Sequence, residues 1–308
     1  MTTAIAENVA RFIAMKRKLG YRFKTEARIL RSFARFAAAQ NEAFIRSATV
    51  LEWATTAASQ PQRVKRLHTV HRFARWLRAE DTRHELPPRE ALGRAPRRRP
   101  QPHLVSVRNI GKLLAAALAT PPAGTIAPLT WHYMFGLVAA TGLRLGEALA
   151  LTLNDITPDG LIIRDTKFGK SRMVALHPTT RSALNRYLVA RRKQSTPDGH
   201  LFVLGTGRPP SPSRVDEVFR KLAHQTGIRE SDAKRGPSLH SLRHSFAVRS
   251  LENLRPGADP GRHMLALATY LGHANVSDTY WYLESTPVLM RGIAEAAEQA
   301  HKNGETHD

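Results

Sequence analysis

Apolar residues recur every three or four positions along most of this chain, the period of one face of a helix. Thr3 to Leu19 reads as an amphipathic helix that stops at Gly20, a residue suited to the position just past a helix end. Thr25 to Ala39 carries Ile29, Leu30, Phe33 and Phe36 at helical spacing. Thr49-x-x-Glu52 and Ser59-x-x-Gln62 are capping-box patterns, the first opening a short helix and the second a longer one. In the longer helix Val64, Leu67, Val70, Phe73, Trp76 and Leu77 form the apolar stripe. Arg63, Arg66, Arg72, Arg75 and Arg78 fall mostly off it. Such a face is either solvated charge or a surface turned towards phosphates.

The periodicity breaks at "LPPREALGRAPRRRPQPH", residues 86–103, where prolines at 87, 88, 96, 100 and 102 forbid a regular helix or a central strand. This stretch reads as an extended basic linker, and Arg97, Arg98 and Arg99 in it could track a nucleic-acid backbone. Helical patterning resumes with Ser106 as N-cap of "VRNIGKLLAAALA". The exception is "DGLIIRDTKFGKSRMVALHP", β-branched and alternating on both sides of "KFGK", a hairpin with Gly169 at its turn. The expected fold is therefore mainly α with a small β-hairpin (α+β). It divides into a helical domain at 1–85, a linker at 86–103, a second domain at 104–286 and a tail helix at 287–308. Thr286 and Pro287 suit the start of that tail helix.

Charge changes the picture. The 308 residues hold 47 Lys/Arg against 25 Asp/Glu, a net of +22. Residues 1–100 have 22 against 8, so the smaller part is the more basic one. An excess of this size calls for a polyanionic partner, nucleic acid before an anionic membrane surface. No apolar run approaches the roughly 20 residues of a spanning helix. The chain lacks cysteine, which removes disulfides, thiolate chemistry and Cys-ligated zinc, and fits a cytoplasmic protein.

Candidate chemistry is confined to the second part. In "ATGLRLGEALAL" Gly142 ends one helix and Arg144 enters the first turn of the next, where free N–H groups and the positive dipole end favour an anion. The alternative for Arg144 is an ion pair with Glu147 one turn on. In "SLHSLRHSFAVRSLE" His240 and Arg243 share a helix face, with Leu239, Leu242, Phe246 and Leu251 turned to the core. His240 and His244 also have a zinc-ligand spacing, but no glutamate lies between them and no third ligand stands out nearby. "YLGHANVSDTYWYLE" adds His273 and three tyrosines: Tyr270 in an apolar stripe, then Tyr280 and Tyr282 two apart, which point to different helix faces.

Taken in order, Arg144 in "TGLRLGEAL", Lys167 in "TKFGKSR", His240 and Arg243 in "HSLRHSFA", His273 in "YLGHAN" and Tyr282 nine residues later resemble the catalytic domain of the tyrosine recombinase, or phage integrase, family. The resemblance covers roughly residues 104–290. Residues 1–85 resemble that family's helical (SAM-like) core-binding domain only in length, helicity and charge.

The resemblance implies a site-specific recombinase that clamps double-stranded DNA at a core site with inverted repeats and cuts it through a 3′-phosphotyrosine bond. It needs neither metal nor ATP nor any other cofactor. Tyr282 would be the nucleophile, with Tyr280 its alternate. His240 would be the acid/base and His273 a further phosphate ligand. Lys167 would protonate the leaving 5′-oxygen, with Lys170 its runner-up. A homodimer on each site, a tetramer in the synapse and accessory recombinase proteins would be its partners, and the tail helix would dock on a neighbouring subunit. The chemistry is consistent with these residues: two arginines and a histidine can neutralise a phosphoryl transition state, and a phenol of pKa about 10 needs a base and cationic neighbours. A non-catalytic accessory subunit and a type IB topoisomerase-like relaxase are the competing readings.

Overall fold

The computed structural model describes residues 4–94, 102–164, 171–194, 199–230, 236–254 and 259–273, with positions 275, 279, 282 and 298. The chain divides into two compact units, 1–100 and 101–308.

The first unit is built from four helices: α1 (Ala4–Lys18), α2 (Lys24–Ala39), α3 (Ser47–Thr55) and α4 (Gln60–Arg78). Its core takes Ile5, Val9 and Phe12 from α1, Leu30 and Phe33 from α2, Trp53 from α3, and Leu67, Val70, Phe73 and Leu77 from α4. The stripe read from the sequence of α4 is the buried one, apart from half-buried Val64 and Trp76. Neither capping box forms. α3 begins two residues before Thr49, whose hydroxyl instead donates to Glu42 Oε1 (3.0 Å). The first amide of α3, Ser47 N, is capped from a distance by Glu85 Oε2 (2.8 Å). Ser59 does occupy the N-cap of α4, but without a side-chain hydrogen bond. Capping by a residue 38 positions away leaves no local sequence signature.

The arginines of α4 separate into two groups. Arg63 Nε donates to Ala57 O (2.8 Å), and Arg66 Nη1 donates to Trp53 O (3.0 Å) and Thr56 Oγ1 (2.8 Å) while its guanidinium lies over the Trp53 ring. These two close the C-terminal end of α3, where cations complement the helix dipole. Arg72, Arg75 and Arg78 remain exposed.

The start of the Pro/Arg stretch belongs to this unit. His71 Nδ1 meets Pro87 O (2.8 Å), Gln60 bonds Leu92 O, and Leu86 and Leu92 pack on the core. Prolines forbid a helix there, but they allow extended chain to lie across α4. Arg97, Arg98 and Arg99 lie outside the described residues.

The second unit places α6 (Ala127–Thr141) at its centre, packed by α5 (Val107–Leu118), α8 (Pro178–Arg191) and α10 (Leu239–Glu252). α6 is apolar on nearly all sides because it is surrounded, with Trp131, Met134, Phe135, Leu137 and Val138 all buried. Ser106 caps α5, accepting from Asn109 N (3.2 Å). The short helix α7 (Leu145–Ala150) follows α6, and α9 (Pro212–Gln225) packs on α5. β1 (Gly160–Ile163) and β2 (Arg172–Ala175) form a two-stranded antiparallel sheet in the register Gly160↔Ala175 to Ile163↔Arg172. That hairpin pairing agrees with the alternation in sequence. Its tip, with Lys167, Gly169 and Lys170, lies outside the described residues. α11 (Pro260–Leu271) packs on α10 and β2. The expected tail helix at 287–308 also falls outside the described residues, Glu298 excepted.

Candidate active site

Two chain reversals and one helix bring the candidate residues together. α6 ends at Gly142 in the left-handed region (φ 63°), where an added Cβ would lie 2.7 Å from Phe246 and 2.8 Å from Leu271. The next residues place Arg144 at the N-cap of α7, one position earlier than the sequence suggested. Its backbone N–H donates to Glu147 Oε2 (3.0 Å), so the free amide expected to face an anion is already satisfied. α11 ends at Gly272, also left-handed (φ 66°), and the chain then presents His273. α10 supplies His240, Arg243 and His244 from its first two turns.

The two arginines are tied to these turns. Arg243 is 1% exposed and donates from Nη1 to Gly142 O (2.6 Å) and from Nη2 to Leu271 O (2.8 Å). It thereby joins the end of α6 to the end of α11. Arg144 donates from Nη2 to the next carbonyl, Gly272 O (2.7 Å), and from Nη1 to Glu147 Oε1 (2.7 Å). A guanidinium has five N–H donors, so neither side chain is exhausted by these bonds. Burial first, then the neighbouring Arg144, pushes Arg243 down to about 10, which leaves it charged at neutral pH.

The ion pair between Arg144 and Glu147 weighed from the sequence exists, but it is part of a larger device. Arg172, at the start of β2, holds both oxygens of Glu147 (Nη1–Oε1 3.0 Å, Nη2–Oε2 2.9 Å) and donates from Nε to Tyr270 O (2.8 Å). Its guanidinium lies against Gly272, where a Cβ would come within 2.7 Å of Nη1. Burial pushes the Glu147 carboxyl up, but hydrogen bonds from Arg172 and from the backbone and side chain of Arg144 outweigh it and hold it at about 2. Arg172 thus links the base of the hairpin, the Arg144 turn and the turn that carries His273. Sequence reading missed it, because an arginine in a short alternating strand has no distinguishing local signal.

Tyr282 is 2% exposed and packs with Ala247, Val248, Leu251, Met264, Leu267 and Leu271. Its hydroxyl lies 3.3 Å from His244 Nδ1, and its ring stacks on that of His273 at 6.1 Å. His273 Nδ1 is held by Thr279 Oγ1 (2.6 Å), a side chain with no exposure. His240 meets His244 edge to face at 4.4 Å and is exposed. Partial desolvation, then Arg243 and Arg144, hold His240 below the ordinary histidine value. His244 is pushed down to about 3 by burial, then by His240, Arg243 and His273, and so is a neutral ring.

The structure therefore gathers Arg144, His240, Arg243, His273 and Tyr282. Lys167, Lys170 and Tyr280 fall outside the described residues. Tyr270 stands apart from the cluster, stacked on Phe246 at 5.7 Å with its hydroxyl donating to Ala175 O (3.1 Å), and burial raises it to about 12. Among the described residues no group of three or more His, Cys, Asp or Glu could hold a metal ion, and no helix is long and apolar enough to cross a membrane. His244, weighed from sequence only as a zinc ligand, is instead the imidazole that meets the tyrosine hydroxyl.

This mainly helical fold is shared with DNA-bound recombinases. A solved structure of XerH site-specific recombinase bound to palindromic difH substrate matches with a TM-score of 0.66 at 18% identity, over 91% of this chain and 80% of that one. A lambda integrase dimer bound to a COC′ core site matches with a TM-score of 0.63 at 17% identity, over 90% and 76%. In sequence, the phage integrase family model matches residues 108–287. The y4rB protein of Sinorhizobium fredii (strain NBRC 101917 / NGR234), which carries the name integrase/recombinase, is 38% identical over 92% of this chain and 93% of its own length. Tyrosine recombinase XerD of Brucella abortus (biovar 1, strain 9-941) is 32% identical over 77% and 75%. The chain belongs to the phage integrase family, the tyrosine recombinases, whose members are DNA breaking-and-rejoining enzymes.

Proposed function

We propose that this protein is a site-specific recombinase in which Tyr282 attacks a DNA phosphodiester to form a 3′-phosphotyrosine bond, later released by a 5′-hydroxyl of another strand. The observation that carries the reading is the convergence of Arg144, Arg243, His240 and His273 on the turns at Gly142 and Gly272 and the start of α10, where the Tyr282 hydroxyl meets His244 and its ring stacks on His273. Two fixed guanidiniums beside a phenol supply the positive field that a pentacoordinate phosphorane needs, already in place before charge develops. His240 is the exposed member of the cluster, and Arg144, with 32% of its side chain accessible, is half-buried like His273. The scissile phosphate enters on the side of His240 and Arg144, with the buried Arg243 and Tyr282 behind them.

Lys167, in the segment that joins β1 to β2 and precedes Arg172, is assigned the proton for the leaving 5′-oxygen, with Lys170 as the alternate. The reaction exchanges one phosphodiester for another, so it conserves bond energy and requires neither ATP nor metal. The basic first unit, with exposed Arg72, Arg75 and Arg78, and Arg97, Arg98 and Arg99 after it, are assigned to the DNA backbone. The active assembly is a dimer on each inverted-repeat core site and a tetramer in synapsis, with the segment from 287 docking on a neighbour, in the cytoplasm and with accessory recombinases where the site demands them.

The test is a nicked suicide duplex chosen from a randomised pool by adduct formation, incubated in chelator without nucleotide. A denaturation-resistant adduct that disappears in Tyr282→Phe and persists in Tyr280→Phe is expected. Loss in Tyr280→Phe instead moves the nucleophile, and an adduct that needs Mg²⁺ ends the mechanism. Binding without any adduct would favour an accessory DNA-binding subunit.

A further inference from the structure

We propose that His244 is a catalytic residue: its Nδ1 takes the phenolic proton of Tyr282 as that oxygen attacks phosphorus, and returns it on religation. The proposal rests on Tyr282 being the nucleophile. It transfers the base role towards the nucleophile from His240, where the family resemblance placed acid/base work, to the next turn-related histidine of the same helix.

The geometry distinguishes the two imidazoles. His244 Nδ1 is 3.3 Å from the Tyr282 hydroxyl, with ring centroids 5.5 Å apart. His240 meets His244 edge-on at 4.4 Å and faces outward, to the side on which phosphate arrives. α10 fixes this arrangement, since Ala247 and Val248, one turn beyond His244, pack in the same apolar cluster as the Tyr282 ring. A helix positions its side chains more firmly than a loop would, and the contact aims the phenol oxygen as well as accepting from it.

The charges explain why the ring is a base only when one is needed. His244 is faced by His240 and Arg243 on its own helix, by His273 beyond α11 and by Tyr282, with Arg144 behind Arg243. In the absence of DNA, burial and these cations keep the ring neutral, so Nδ1 can accept when the ring carries its proton on Nε2. A bound phosphodiester brings one negative charge into this cluster, and the pentacoordinate transition state a second. Each opposes the cations that depress the imidazole, so its basicity rises along the reaction coordinate as the proton must leave.

The step balances. The Tyr282 O–H bond breaks and an Nδ1–H bond forms. The phenolate pair forms O–P, the P–O5′ bond breaks, and the leaving oxygen takes its proton from the hairpin lysine. Religation runs the same exchanges in reverse, with the departing phenolate reprotonated from His244.

The test compares wild type, His244→Asn and His244→Ala in single-turnover adduct formation and religation on the selected suicide duplex, between about pH 6 and 10, the range spanning the imidazole and phenol values. Asparagine places an oxygen near Nδ1 that keeps the hydrogen bond but cannot take a proton. Both variants are expected to bind the duplex normally and to lose about 10²-fold in cleavage rate near neutral pH, the usual worth of a general base. The deficit should shrink as pH rises and the phenol ionises unaided, and religation should slow in proportion. Wild-type rates in His244→Asn overturn the proposal. So does a deficit that is the same at every pH or that tracks a lowered melting temperature, since that assigns His244 a packing role. Absence of an adduct from the wild-type protein overturns the nucleophile reading and this one with it.

Discussion

Replacing Arg172 with methionine keeps most of the side chain's volume and removes only its charge and hydrogen bonds. Glu147 is 9% exposed and Arg172 12%, so this is an ion pair largely withdrawn from solvent. Glu147 is held at about 2 against an ordinary value of 4.5. That gap is worth roughly 3 kcal/mol, shared between Arg172 and Arg144. Breaking one side of a buried pair costs about 3–5 kcal/mol by comparison with other proteins. With Arg144 still on Glu147 after the substitution, the loss lies at the lower end of that range, roughly 3 kcal/mol, which for a unit of this size lowers its melting temperature by about 6–12 °C.

The pH dependence follows with a definite sign. A carboxylate whose folded value is depressed contributes stability that is fully present above about pH 4.5 and is lost as pH falls towards 2. Arg172→Met should therefore flatten the stability curve of the second unit across that acid window. Calorimetric melts of the full chain between about pH 3 and 7, with the first unit's transition as internal reference, measure both effects. A shift under about 2 °C at neutral pH, or an acid limb as steep as in the wild type, would refute the assignment of Glu147's stabilisation to Arg172. Cleavage should also fall, because the hairpin base and the His273 turn lose their common tie to Arg144.

Four further outcomes are expected. Gly272→Ala should impair cleavage and lower stability, because the left-handed backbone (φ 66°) disfavours a Cβ that would also meet the Arg172 guanidinium; a melting temperature equal to wild type would contradict this. Arg243→Ala should destabilise the second unit by about 1–3 kcal/mol for each carbonyl left unpaired, Gly142 O and Leu271 O, so Arg243→Lys, read by melting and adduct yield together, is the sharper probe of catalysis. The first unit should lose stability as pH falls below about 6.5, because burial, with Arg83 beside it, outweighs Asp81 and keeps His84 below its ordinary value, while neutral Nδ1 accepts from Ile45 N (3.1 Å); His84→Gln should remove that slope in urea melts. Phe33→Ala, at 0% exposure, should cost the first unit about 3–5 kcal/mol in the same melts, and a cost under 1 kcal/mol would place Phe33 outside the core.

Local pattern carried much of this protein. The period of α2 and α4, the serine that caps α5, the glycines that end α6 and α11 and the alternation of β1 and β2 are all dictated by neighbours in sequence, where spacing and backbone stereochemistry act. The candidate residues were legible for a related reason. Each stands beside a signal with a local cause: Arg144 after a helix-breaking glycine, His240 and Arg243 one turn apart, His273 after another glycine.

What the sequence could not contain is which side chain answers which across long separations. The amide of Ser47 is capped by Glu85, so the local capping box near Thr49 had nothing to do. Arg63 and Arg66 are consumed by the end of α3, although their spacing alone equals that of the exposed arginines of the same helix. Arg172 finds Glu147 and Tyr270 only because β2 runs beneath the end of α11. His244 has the same i, i+4 relation to His240 in any helix, and only the packing of Tyr282 against α10 makes it the partner of a phenol. Hydrogen bonds and buried charges are fixed by three-dimensional proximity, and that proximity is a property of the packed core.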